Sequence, residues 1–250
     1  MKILVCGKGG CGKSTIATLL AKEIAARKSK VLVIDNDESN IGLHGRLGMQ
    51  KPEDFMNYFG GKKVLFEKTK EMKDKWRLGD LPGDYLTEKG NIQLLSMGKI
   101  YQFGEGCACP INALSAKFLE ILDLGDNEFL IADTDAGIEH FGRGVEKGVD
   151  VLLVVIEPSR ESVLLAEKIS ELGRQVNKPV YYILNRIADQ ETEELLLNSI
   201  DKEKVIATIP ENKEIFVAGL AGNEFNMDVK GIGEIADMLE AKKKTGDKAG

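Results

Sequence analysis

A single α/β domain, with a mostly parallel sheet covered by helices on both faces, is the fold class this sequence predicts, and three observations predict it. Short β-branched runs alternate with longer segments of helical periodicity, the signature of strand–helix–strand crossovers. Some runs are apolar without interruption, as in Val151-Leu152-Leu153-Val154-Val155-Ile156, which fits a strand buried on both faces. The length of 250 residues suffices for one sizeable core and is short for two separate ones.

The elements follow in order. Residues 2–6 and 30–35 read as strands, joined by a segment in which Ile16, Leu19, Leu20 and Ile24 recur at helical spacing. Residues 51–90 are rich in Lys, Asp, Glu and Gly, carry the single tryptophan, Trp76, and read as an insertion of short helices and loops. Strands are expected again at 129–133, 150–157, 180–185 and 204–209, with Val163, Ala166, Ile169 and Leu172 marking a helix between the second and third of these. Residues 231–244 form an amphipathic pattern and 245–250 read as a disordered tail. One domain over 1–250, without repeat or flexible linker, is the expected organisation. In such sheets the ligand lies beyond the carboxyl ends of the strands, so the chemistry is expected just after Cys6, Asp35, Asp133, Glu157 and Asn185.

Charge narrows the partners. The 34 Lys and Arg against 40 Asp and Glu give a net charge of −6, which argues against a broad nucleic-acid surface. No apolar run is long enough to span a bilayer, so neither nucleic acid nor membrane is expected as a partner. The apolar start at 1–6 runs into glycines with no cleavage-site pattern, and a cytoplasmic location is expected. The four cysteines then read as thiols or metal ligands, not as disulfides.

The stretch Gly7-Lys8-Gly9-Gly10-Cys11-Gly12-Lys13-Ser14-Thr15 fits G-x-x-x-x-G-K-S/T between a strand and a helix. Glycines let the backbone curl so that successive N–H groups face phosphate oxygens, and the helix starting near Lys13 adds its positive end. ATP or ADP with Mg²⁺ is the predicted ligand. Gly9, Gly10, Cys11, Gly12 and Thr15 line the cradle, Lys13 reaches the β- and γ-phosphates, and the Ser14 hydroxyl ligates magnesium. Two acidic clusters end predicted strands: Asp35-Asn36-Asp37-Glu38, and Asp133-Thr134-Asp135-Ala136-Gly137. Phosphoryl transfer needs carboxylates there to hold magnesium and orient water. Asp133 suits the metal, and Gly137 offers a close backbone N–H to the γ-phosphate.

The cysteines divide. Cys6 closes the first strand and reads as a core residue; Cys11 in the glycine loop reads as neutral or as a redox liability. Cys107-Ala108-Cys109 lies between glycines and Pro110, just before a helical stripe. Two thiols one residue apart can face one metal, but a tetrahedral sulfur site needs four, and a two-fold dimer supplies the other two. Two unrelated thiols is the other reading. The ligands suit Ni²⁺, and equally Zn²⁺ or Cu⁺.

With Lys8 included, the loop resembles the deviant Walker A motif of the MinD/ParA/NifH class. That resemblance implies a homodimer in which Lys8 crosses to the partner's nucleotide and stabilises transition-state charge as an arginine finger does; otherwise Lys8 is an exposed lysine that steers anions. It also implies that Asp37 positions the attacking water, completing a catalytic set of Lys8, Lys13 and Asp37. Residues 133–140 would be the second nucleotide-sensing switch. Asn185, Arg186 and Pro210 would hold the adenine. A narrower resemblance, to the CooC family of ATPases that mature nickel-containing carbon monoxide dehydrogenase, rests on four stretches. These are the glycine loop, Gly106-Cys107-Ala108-Cys109, Asp133-Thr134-Asp135-Ala136-Gly137-Ile138-Glu139-His140 with Arg143-Gly144, and Val155-Ile156-Glu157-Pro158. It implies an ATP-dependent dimer that binds nickel at interface thiolates and helps load it into such an enzyme. One rival is a NifH-like iron–sulfur ATPase or electron carrier; its second cluster cysteine falls in this chain at His140, which reads either as a coupling residue or as a surface histidine. Another rival is a MinD- or ParA-type positioning ATPase, for which the short apolar face of 231–244 provides little membrane anchor.

Overall fold

The computed structural model describes residues 1–69, 72, 75–100, 109–136 and 144–246. β1 (Lys2–Gly7), β2 (Lys30–Asn36), β3 (Leu86–Lys89), β4 (Ile92–Ser96), β5 (Glu128–Thr134), β6 (Val151–Ile156), β7 (Val180–Ile187) and β8 (Val205–Pro210) form one sheet. Its order is β3-β4-β2-β5-β1-β6-β7-β8, and every pairing is parallel except β3 with β4. From β1 the chain steps two places to β2 on one side, and later strands fill the other. The crevice beyond the carboxyl end of β1 is therefore the expected ligand position.

The sequence marks β1, β2, β5, β6 and β7, which are buried along most of their length; every residue of β6 is buried. It does not mark β3 and β4, which replace the last part of the expected 51–90 insertion and extend past it. β3 is a short edge strand carrying Thr87, Glu88 and Lys89, a polar pattern suited to an edge. The Gly90-Asn91 turn between Lys89 and Ile92 is the two-residue hairpin signal that reveals the pair.

α1 (Lys13–Ala26), α7 (Lys213–Ala221) and α8 (Ile232–Gly246) lie on one face of the sheet, with α2 (Leu43–Arg46). Ile16, Leu20 and Ile24 of α1 bury against Ile3, Val5 and Val33 with Ile235 and Leu239 of α8. α8 runs two residues into the expected tail, and 247–250 lie outside the described residues. The other face carries α4 (Cys109–Ile121) and α5 (Arg160–Gln175), while α3 (Leu65–Lys68) lies in the insertion and α6 (Gln190–Leu197) follows β7. Val163, Ala166 and Ile169 are buried there as their spacing predicts.

The described residues of the insertion are well packed. Phe55 sits at the centre of an aromatic group with Tyr58, Phe59, Trp76, Tyr85 and Phe118 of α4, ring centroids 5.3–6.2 Å from its own. Trp76 N–H donates to the Ile121 carbonyl at 3.0 Å, and Asp123 N–H to the Trp76 carbonyl at 2.7 Å. The insertion thus clamps the far end of α4.

Candidate functional site

The glycine loop leaves β1 and enters α1 at Lys13 without a break. At Gly7 the backbone has φ +143°, and a Cβ would lie 2.5 Å from the Val155 carbonyl oxygen of the neighbouring strand. At Gly12 φ is +103°, and a Cβ would collide with the Asn185 side-chain amide. Both positions demand glycine for conformation and space. Gly9 faces the second acidic cluster, with Ala136 Cβ 3.4 Å from where its own Cβ would stand. Lys13 is buried; its ammonium donates to the Lys8 carbonyl at 3.1 Å, folded back across the loop. Cys11 is buried under the loop, and burial pushes its thiol up to about 11 against the pull of Lys13. Cys6 is buried and pushed higher still. Neither thiol ionises near neutrality, so the loop thiol is an inert packing group.

The acidic clusters meet next to Ser14. Asp35 and Asp133 stand opposite each other in the β2–β5 register. Burial pushes Asp133 up to about 7, the neighbouring Asp35 charge adds to this, and the Ser14 hydrogen bond and Lys13 oppose it. Asp35 is pushed up to about 6 by burial, against the pull of Lys99. Asn40 Nδ2 donates to Ser14 Oγ at 3.0 Å and to Asp133 Oδ2 at 3.3 Å, while Asp133 Oδ1 is buried without a hydrogen-bond partner among the described residues. A buried, unsatisfied carboxylate oxygen beside a hydroxyl suits a small hard cation that takes most of its other ligands from phosphate and water. Asp37, half-buried, accepts from Ser39 N–H at 2.9 Å and from Ser39 Oγ at 2.6 Å, which fixes its carboxylate in a turn.

Lys8 is only partly exposed and reaches Glu157 Oε1 at 3.1 Å and Ser159 Oγ at 3.4 Å. Arg186 contacts the other oxygen of Glu157 at 3.4 Å and has φ +60° at an irregularity between β7 and β8. Asn185 is buried, and its amide donates to the Cys11 carbonyl at 2.8 Å. It therefore supports the loop. Pro210 ends β8, exposed, opposite Ile187.

Cys109 is exposed at the first residue of α4. Cys107, Gly137 and His140 lie outside the described residues. Among the described residues no three His, Cys, Asp or Glu side chains stand close enough to hold a metal ion, and no helix is long and apolar enough to cross a membrane.

Sequence reasoning missed Asn40, Lys99 and the role of Glu157. Lys99 is 2% exposed, with its ammonium 2.7 Å from Asp35 Oδ1. An interior lysine in a chain of 34 cationic residues carries no local signal. The sequence marks Glu157 only by its place after an apolar strand and within the stretch Val155-Ile156-Glu157-Pro158, with no role attached.

Residues 2–225 match the model of the CobQ/CobB/MinD/ParA nucleotide binding domain. The chain is 51% identical over 248 residues to an uncharacterized ATP-binding protein of Methanocaldococcus jannaschii, covering 96% of this chain and 99% of the relative. It is 34% identical over 231 residues to the carbon monoxide dehydrogenase accessory protein CooC of Rhodospirillum rubrum, covering 89% of this chain and 88% of that protein. Among solved structures, the septum site-determining protein MinD of Pyrococcus horikoshii complexed with Mg-ADP superposes with a TM-score of 0.70 at 18% identity, over 96% of this chain and 95% of that one.

Proposed function

The chain belongs to the CobQ/CobB/MinD/ParA nucleotide-binding family, and from that premise we propose that it is an ATP-hydrolysing, dimeric metallochaperone. It carries nickel on the thiolates of Cys107 and Cys109 from two chains and passes it to an enzyme of the carbon monoxide dehydrogenase type. The observation that carries this reading is an exposed Cys109 at the start of α4, in a Cys-x-Cys pair, on a chain 34% identical to a carbon monoxide dehydrogenase accessory protein.

The residues divide the work as follows. Backbone N–H groups of the loop and the start of α1 hold the phosphates. Lys13 leaves the Lys8 carbonyl for the β- and γ-phosphate oxygens. Ser14 and Asp133 would hold magnesium, which supplies neutralisation of the phosphate charge when bound. Asn40 must then give up its bonds to both residues. Asp37 orients the attacking water. Glu157 retains Lys8 within its own chain, and on dimerisation Lys8 leaves it for the partner's nucleotide. Asn185, Arg186 and Pro210 hold the adenine. Bringing Cys107 and Cys109 from both chains together completes four thiolates, which bind nickel as cargo.

The test is nickel titration of the wild-type chain and a Cys107→Ala/Cys109→Ala variant, with mass measurement, with and without ATP. The reading requires one metal per two chains, lost in the variant while ATP still binds. One metal per monomer contradicts a shared site. A stoichiometric iron–sulfur absorption spectrum in anaerobically purified, active protein would replace nickel with the electron-carrier reading. ATP-dependent sedimentation with liposomes or DNA would replace it with a positioning role.

A further inference from the structure

The strand end that carries Asp37 grips both flanks of the thiol-bearing segment. On the first flank, Met97 N–H donates to the Asp35 carbonyl at 3.0 Å and Ile100 N–H to the Glu38 carbonyl at 3.3 Å. Lys99 adds the 2.7 Å ion pair to Asp35 and donates to the Asp37 carbonyl, while its own N–H donates to Asp54 Oδ2 at 3.1 Å. On the second flank, Ser115 Oγ of α4 donates to Asn36 Oδ1, and Asn36 Nδ2 donates to Asn112 Oδ1 at 3.4 Å. Asn112 and Ser115 are fully buried. Four consecutive residues, 35–38, therefore hold 97–100 on one side and Asn112 and Ser115 on the other, and Cys109 opens the helix so held.

The same strand end touches the nucleotide site, because Asn40 bonds both Ser14 and Asp133. The short turn Val145–Gly148 also packs against this helix: a Cβ at Gly148 would stand 2.7 Å from Leu119. A buried ion pair cannot separate without leaving an uncompensated buried charge. Lys99 therefore follows Asp35 when the strand end shifts. Buried hydrogen-bond networks likewise move between satisfied arrangements and do not stretch continuously. Such a two-arrangement element, biased at one end by ligand, is what coupling between sites requires.

We propose that Lys99, Asn112 and Ser115 are positioning residues that transmit the nucleotide state from residues 35–40 to the start of α4, and so set the exposure of the Cys109 thiolate. The proposal rests on the nucleotide half of the function above and needs no metal. It assigns the regulation of the thiol site to buried side chains that contact neither nucleotide nor cargo.

The experiment follows the reaction of Cys109 with a chromogenic disulfide reagent in a full-length Cys107→Ser chain. Cys6 and Cys11 stay silent because both are buried and pushed upward. Rates are compared without nucleotide, with ADP, and with a non-hydrolysable ATP analogue. The expected difference between the analogue and ADP is about fivefold or more, the lower end of ordinary coupling. Ser115→Ala and Lys99→Met should reduce it to less than about twofold, and Ser115→Thr, which keeps the hydroxyl, should restore it. Ser115→Ala should leave nucleotide affinity within about threefold, since Ser115 lies outside the cradle. A native chain that binds nucleotide yet shows no rate difference overturns the coupling alone. So does a folded Ser115→Ala variant with the full difference, and this holds if Lys99→Met does not fold. Failure to bind nickel overturns the metallochaperone reading and leaves this result standing.

Discussion

The glycine loop and the α4 region lie at the same end of one sheet and are built by opposite means. The loop is local: consecutive residues 7–15 set their own backbone path, with glycine demanded at Gly7 and Gly12 by positive φ and by close neighbours. The α4 region is assembled from Asp35, Asn36, Asp54, Ser96, Lys99, Asn112 and Ser115, held by side chains 42–79 residues apart. One site is written in a motif and the other in a packing arrangement. The loop should therefore fail through changes of backbone or phosphate-facing charge, and the α4 region through removal of a single buried polar partner.

The largest effect expected is on the charge that joins two loops. Lys8→Ala should lower ATP turnover about a thousandfold, the scale of losing a cationic finger. ATP affinity of the single chain should stay within about threefold, because Lys13 and the backbone remain. Phosphate release measured over a range of protein concentrations checks this, since a residue supplied in trans makes native turnover rise more steeply than linearly with chain concentration. Turnover of Lys8→Ala near the native level would reduce Lys8 to a partner of Glu157 and leave the loop a purely local device.

Next is the backbone. Gly12→Ala should cost about 1–3 kcal/mol of stability, from the strained φ and displacement of Asn185, and should weaken ATP binding about tenfold or more. Gly10→Ala has φ +80° but nothing within 4 Å of the added carbon, so its cost should stay nearer ~1 kcal/mol. Thermal melts and nucleotide titrations of the two variants separate the steric term from the conformational one. Equal costs would mean that Asn185 does not buttress the loop.

The contrast also explains what the sequence made legible. β1, β2, β5, β6 and β7 are largely buried around apolar runs, which carry them in the sequence, whereas β3 escaped because an edge strand is polar by design. The phosphate cradle was legible because its chemistry is contiguous. Asn40 was not, since nothing before folding links it to Ser14, 26 positions earlier. Lys99 reads in sequence as one more surface lysine, and only the β2–β4 pairing places it beside Asp35. The second acidic cluster reads in sequence from Asp133 to Gly137; its described part ends at Ala136, and Gly137 lies outside the described residues.

The smallest effect concerns the acid at the junction of the two regions. Asp133 is pushed up to about 7, first by burial and then by the Asp35 charge. Below that pH its carboxyl holds a proton in the folded chain, and a cation takes only the ionised form, so magnesium binding must expel the proton. The sign follows: magnesium-dependent ADP affinity should fall as pH drops from 8 to 6, by about tenfold for one group titrating near 7, and should level off above 8. Calorimetry in buffers of different ionisation enthalpy should show proton release on binding near pH 7, largest where the group is half protonated. Asp133→Asn should bind weakly at every pH and lose that slope. A wild-type chain with no slope over this range would mean that Asn40 and Lys13 already keep Asp133 ionised. The two regions would then communicate through hydrogen bonds alone, without the shared charge.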